Sequence, residues 1–171
     1  TCDFSILRKD LNMAISKDMV TVVVPTFNEE KAISLVLDEI RAVGYENILV
    51  VDGYSVDGTV KVAESRGVQA ILQNSRGKTG AIKTAVDFVK TPYMLVMDGD
   101  HTYDPADIER FLIHAEKYDQ VIGYRTNGRN NIPRLHRLGN WMITKAFNLL
   151  MDTHLSDVCS GMWLFKTEVA R

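Results

Sequence analysis

Cysteine is nearly absent from the 171-residue chain: only Cys2 and Cys159 occur, and neither belongs to a Cys-x-x-Cys pair. No disulfide framework or zinc site is expected, and a reducing cytoplasm is the compartment that fits. Long apolar runs are missing too. The longest stretches, 48–51 and 93–97, fall far short of the roughly 20 residues that a membrane-spanning helix needs. Charge of one sign is equally scarce, since 20 basic residues stand against 22 acidic ones for a net charge of −2. Such a chain has no global field to attract a nucleic-acid backbone, so no nucleic-acid partner is expected and any anionic ligand must be held by a local cluster. The remaining composition, 46% hydrophobic and 25% charged, is that of a globular protein, and the length suits one domain.

The ends carry little pattern. Thr1 is not a methionine, and residues 1–18 show no capped or periodic segment and read as a tail, leaving 19–171 as the domain. Thr167-Glu168-Val169 reads as an N-cap and first helical turn that Arg171 interrupts, so a natural continuation is expected.

Between the ends, strands and helices alternate. Residues 20–24 form a β-branched run; Asn28 follows as an N-cap, then Glu29 and Glu30, an apolar-rich stretch to Val43, and Gly44 as a stop. The same unit recurs as a strand at 47–51 with a helix at 58–66, a strand at 68–72 with a helix at 78–89, and a strand at 93–97 with a helix at 105–117. A fifth strand is expected at 120–123. Asp104 before Pro105 marks a helix start. Strands that are apolar throughout and separated by helices imply an α/β domain with a mostly parallel sheet covered on both faces, whose ligands sit at the carboxyl ends of the strands.

Three polar turns occupy those ends: 25–29, 52–59 and 98–100. Taken singly they are unremarkable, since Asn28 and Asp57 serve as N-caps elsewhere in proteins and a carboxylate after a strand is commonly solvated. Together they point to a site. Asp98 and Asp100, two residues apart after a buried strand, repel each other unless a cation sits beside them, and a hard divalent ion that also meets phosphate is the natural partner. An EF-hand is excluded because Tyr103 stands where its glycine is required, and a P-loop is excluded because its first glycine would fall at Leu72.

In this order, Val24-Pro25-Thr26-Phe27-Asn28-Glu29, 51–59, Gly77-Lys78-Thr79-Gly80-Ala81 and Met97-Asp98-Gly99-Asp100 resemble the successive motifs of family-2 glycosyltransferases with the GT-A fold. Within that family the sequence is most similar to the polyprenyl-phosphate sugar synthases, including archaeal enzymes of lipid-linked glycan assembly. The resemblance implies that Pro25, Phe27 and Glu29 line the base and ribose pocket, that Asp52 hydrogen-bonds the nucleobase, and that Lys78 lies near the nucleotide. It further implies that Asp98 faces ribose or metal and that Asp100 is the main ligand of Mg2+ or Mn2+. Where the subgroup often has two aspartates, this chain has Asp52-Gly53, and Thr102 stands where some relatives place a glutamine.

The implied reaction moves a hexose, with inversion, from a nucleotide diphosphate sugar to a polyprenyl or dolichyl phosphate. Transfer to a saccharide hydroxyl and a non-catalytic nucleotide-sugar binding module are the alternatives. Arg125, Arg129, Arg134 and Arg137 gather four guanidinium groups suited to phosphate, and Arg125, Arg134 and Arg137 are the expected acceptor-phosphate residues. A hydroxyl nucleophile would need a base, and Asp157 is the late carboxylate in a family-like motif that could serve. The nearly all-apolar stretch 138–151 reads either as a core helix or as an interfacial one near a lipid acceptor. The resemblance places the protein peripherally on the cytoplasmic face of a membrane.

Overall fold

The structure is a computed structural model that describes residues 15–123, 134–151 and 160–171, with backbone alone for 134–140 and 151. Its frame is a six-stranded sheet. The strands are β1 (Val20–Thr26), β2 (Ile48–Asp52), β3 (Gln69–Leu72), β4 (Tyr93–Val96), β5 (Gln120–Ile122) and β6 (Trp163–Lys166), in the spatial order β3-β2-β1-β4-β6-β5. Strands β1 to β4 are mutually parallel, with Val22 opposite Ile48 and Leu95 and Leu49 opposite Gln69. Strand β6 runs antiparallel to both β4 and β5.

Side-chain alternation divides the core between two faces. Val20, Val22, Val24, Ile48, Val50, Leu95 and Met97 pack under α1 (Glu30–Ala42), α2 (Thr59–Ser65) and α4 (Ile108–Ala115). Val23, Leu49, Val51, Met94 and Val96 pack under α3 (Gly77–Phe88), where Ala170 of the short α6 (Thr167–Ala170) joins them. Because each central strand is covered on both sides, its sequence has no polar phase, which is why these runs read as continuously apolar.

The expected α/β domain is therefore present, with three adjustments. The strand at 120–122 does not continue the parallel series; β6 intervenes between it and β4. The helix after Asp104 begins as a 3-10 turn, Pro105–Asp107, with the Asp104 carboxylate accepting from the Ala106 N–H at 3.0 Å, before α4 proper. The late helix α5 (Arg134–Met151) starts four residues before the expected 138, directly after Pro133. Of the expected tail, Ile15 packs on the core and Lys17 donates to the Val43 carbonyl at 2.8 Å.

Helix α5 does not behave as a core helix over its described side chains. Thr144 is buried, while Trp141, Met142 and Ile143 are exposed and Leu149 and Leu150 are 84% and 81% exposed. No helix among the described residues is long and apolar enough to cross a membrane.

Candidate active site

Two turns, after β1 and β2, are knitted together by hydrogen bonds that neither could make alone. The Asn28 N–H donates to Ser55 Oγ at 2.8 Å, and Asn28 Oδ1 accepts from the Val56 N–H at 2.9 Å. The Glu29 N–H donates to Thr59 Oγ1 at 2.8 Å and the Glu30 N–H to Asp57 Oδ2 at 3.2 Å, so the open end of α1 is capped from the neighbouring turn. Asn28 and Asp57 are thus not the simple N-caps expected. Glu29 and Gly58 occupy those positions, and Asn28 takes φ +58°, a left-handed conformation that frees its side chain for Val56.

Asp52 anchors the second turn. Its carboxylate accepts from Thr26 Oγ1 (3.1 Å), the Ser55 N–H (2.8 Å) and Ser55 Oγ (2.6 Å), and the residue is 1% exposed. The next amide, of Gly53, donates to the Thr26 carbonyl at 2.8 Å. This clamp holds Tyr54 at φ +67° and presents its ring, with that of Phe27, to solvent at the mouth of a cleft. His101, after β4, has φ +61°. The three non-glycine residues with positive φ among the described residues all follow parallel strands at this one rim, where backbone strain commonly marks a functional site.

The cleft has a volume of about 920 Å³ and runs from Pro25, Phe27 and Tyr54, past Gln73, to Gly77, Lys78 and Asp98. That size suits a nucleotide-scale ligand. Its far wall is the start of α3, where Gly77 has φ +77° and a Cβ on Gly80 would fall 1.8 Å from the Ser75 carbonyl oxygen. Only glycine allows the loop to fold back on the helix here. Gly77 and Lys78, in the first turn of α3, line the cleft, and a helix N-terminus is a place that favours phosphate.

At that end Lys78 Nζ pairs with Asp98 Oδ1 at 2.5 Å and lies 5.5 Å from the centre of the Trp163 ring. Asp98 is also pressed against the β6 side of the sheet, since a Cβ on Gly161 would lie 1.9 Å from its Oδ2. Asp100 is exposed; its Oδ1 accepts from the Thr102 N–H at 3.0 Å. Burial first, then the carboxylates of Asp100, Asp57 and Asp98, raises the Glu29 carboxyl above its ordinary value. The rim therefore concentrates negative potential. A hard divalent ion fits that donor chemistry, although no set of three or more His, Cys, Asp or Glu side chains among the described residues forms a complete cage. The protein supplies two carboxylates, and a cation here would complete its shell from water and a substrate diphosphate.

Of the residues singled out from sequence, Pro25, Phe27, Lys78 and Asp98 line the cleft. Glu29, Asp52 and Asp100 stand beside it without lining it. Asp52, expected at the nucleobase, turns its carboxylate into the Thr26–Ser55 clamp. Arg125 and Asp157 lie outside the described residues; Arg134 and Arg137 fall in the first turn of α5, described by backbone alone. Tyr54, Gln73 and the 74–76 loop were not anticipated. The aromatic in 52–59 carried a usable signal, whereas Gln73 follows an unexceptional strand.

The fold and its cleft define an α/β domain with a nucleotide-sized ligand site at the carboxyl ends of its parallel strands. The Glycosyl transferase family 2 profile matches residues 21–171, and the chain belongs to that family. It is 38% identical over 155 residues to a glycosyltransferase, AglJ, of Haloferax volcanii, covering 88% of this chain and 51% of that protein. It is also 34% identical over 156 residues to a dolichyl-phosphate hexose transferase of the same organism, covering 89% of this chain and 68% of that protein. Glucosyl-3-phosphoglycerate synthase from Mycobacterium tuberculosis, crystallised with Mn2+, UDP-glucose and phosphoglyceric acid, superposes with a TM-score of 0.75 at 19% identity, over 94% of this chain and 61% of that one. This likeness is one of fold. The chain spans about half the length of AglJ.

Proposed function

We propose that the protein is a divalent-metal-dependent inverting hexosyltransferase that uses a nucleotide diphosphate sugar as donor and a polyprenyl or dolichyl phosphate as acceptor. The observation that carries the reading is the polarity of the cleft, with aromatic rings at one end and a helix N-terminus, Lys78 and Asp98 at the other, Asp100 standing beside it. The dolichyl-phosphate hexose transferase among its relatives supports the choice of acceptor.

Phe27 and Tyr54 hold the base, Pro25 and Glu29 border the ribose, and the α3 amides with Lys78 receive the diphosphate. Asp100, with Asp98, would hold Mg2+ or Mn2+, which when bound neutralises charge on the leaving diphosphate. An acceptor phosphate oxygen attacks the anomeric carbon from the face opposite the leaving group. The bond to the diphosphate oxygen breaks, and its electron pair departs with the nucleoside diphosphate. A phosphate monoester with a second pKa near 6 is largely dianionic at pH 7, so the nucleophile needs no protein base. Arg125, Arg134 and Arg137 are assigned to that phosphate, leaving Asp157 without a role as a base. The exposed apolar side of α5 is assigned to peripheral contact with the cytoplasmic membrane face.

The test is product formation from a panel of nucleotide sugars with a short polyprenyl phosphate and with free saccharides, with and without Mn2+, using wild type, Asp100→Asn and Asp157→Asn. Metal-dependent product on the lipid phosphate, nearly abolished in Asp100→Asn and retained in Asp157→Asn, is expected. Product on saccharide hydroxyls alone, lost in Asp157→Asn, overturns the acceptor assignment.

A further inference from the structure

We propose that Gln73 is a nucleobase-reading residue at the floor of the cleft, a role that rests on the donor site just described. Strand β3 ends at Leu72, but the Gln73 N–H donates to the Asp52 carbonyl at 3.0 Å and extends the ladder by one rung. Alternation along this edge is fixed by its neighbours: Ala70 packs on the α1 and α2 side, and Ile71 on the α3 side. Gln73 shares the side of Ile71. There it meets the space between the strand ends and α3, whose Gly77, Lys78 and Ala81 line the cleft with it.

Gln73 is 5% exposed and its side chain belongs to the lining of the cleft. A carboxamide carries two N–H donors and a carbonyl acceptor in one plane. A ligand that engages the whole group offers donors and acceptors side by side. Phosphate oxygens offer acceptors only, and they have Lys78 and the α3 amides. The edge of a nucleobase supplies both kinds of group in a plane, and the rings of Phe27 and Tyr54 stand at the mouth of the same cleft to cover its face. Asn74, Ser75 and Arg76 also line the cleft but are exposed on its rim. The Asp52 carboxylate already accepts three internal hydrogen bonds. Gln73 is thus the buried carboxamide of the cleft lining.

The experiment is calorimetric titration of UDP, GDP, CDP, ADP and pyrophosphate into wild type, Gln73→Leu and Gln73→Glu in the presence of Mn2+, with melting temperatures recorded for each. Wild type is expected to rank the four nucleotides over at least tenfold in affinity. Gln73→Leu, close in size, should lose about 10- to 100-fold for the preferred nucleotide and compress the ranking, with pyrophosphate binding unchanged. Gln73→Glu keeps the acceptor and removes the donors, so it should shift preference toward bases with an exocyclic amino group at the edge that is read. A purely structural residue would not reorder bases. An unchanged ranking in both variants, an equal loss for pyrophosphate, or a wild type that binds all four nucleotides alike overturns this inference alone. A wild type that binds pyrophosphate but no nucleotide overturns the inference together with the donor reading.

Discussion

A carboxylate after a buried strand invites a ligand role, yet at Asp52 the neighbouring hydroxyls and amide reach the group first. With three internal hydrogen bonds and almost no exposure, this side chain shapes the site by fixing the 52–55 turn. Asp52→Ala should therefore act on stability. Unpaired donors left in a buried turn cost at least ~2 kcal/mol, which for a chain of this size lowers Tm by about 4–8 °C, read by scanning calorimetry. Lys78 is the opposite case, a first-turn lysine that the fold turns inward onto Asp98. Lys78→Met should weaken nucleoside diphosphate binding by about tenfold or more through loss of a charge-assisted contact. The same change should strengthen Mn2+ binding to the nucleotide-free protein, because Asp98 no longer holds an ammonium; weaker Mn2+ binding would contradict that pairing. For Glu29 the sign follows from its raised pKa. The folded state holds this proton more tightly than the unfolded chain, so the ionised group lowers stability at neutral pH, and that penalty vanishes once both states are protonated. Glu29→Gln should melt higher than wild type at pH 7, and the two curves should converge as the pH falls below 4.5.

Among the elements, the turns matter more than the helices they start. The β1 and β2 turns exchange hydrogen bonds in both directions, so each is ordered only with the other in place. The loop before α3 depends on a missing side chain. Gly80→Ala would drive a Cβ into the Ser75 carbonyl and must open the loop, a distortion of about 1–3 kcal/mol or more that should lower Tm and weaken diphosphate binding together. Much of this level is legible in the sequence. Strands β1 to β4 and the helices after them declare themselves because doubly covered strands are apolar without interruption and because Gly44, Gly67 and Asp104 punctuate their ends. Strand β6 does not. Trp163–Lys166 has four residues, three of them only half buried, and its direction is set by pairing with β4, seventy residues earlier. Asn28 looks like a cap in sequence because capping residues are recognised by local spacing, whereas its partner lies across the gap between two turns; Asp57 does both, its Oδ1 accepting from the local Thr59 N–H and its Oδ2 from the Glu30 N–H across the gap.

For the whole molecule, α5 poses a question of environment. Its described side chains bury Thr144 and expose Leu149 and Leu150, while the helix carries Arg134, Arg137 and Lys145 and no acidic residue. That arrangement suits an anionic lipid surface. Leu149→Glu with Leu150→Glu should weaken sedimentation with phosphatidylglycerol vesicles by up to about 3–6 kcal/mol, the transfer energy of two leucines, and leave nucleotide binding intact. Unchanged sedimentation would assign the apolar face elsewhere. The position of β6 has a different consequence, one that concerns the order of assembly. Until residues 163–166 arrive, β4 is an open sheet edge and β5 has no strand to pair with, so a nascent chain already holding both Asp98 and Asp100 still lacks the backbone that closes behind them. Contacts so distant in sequence form slowly, and an exposed parallel edge invites pairing between chains in the interval. Refolding should accordingly show its slowest phase when probed at Trp163, after the α1 and α3 layers have closed, and chains cut before Trp163 should aggregate although every cleft-lining residue is present.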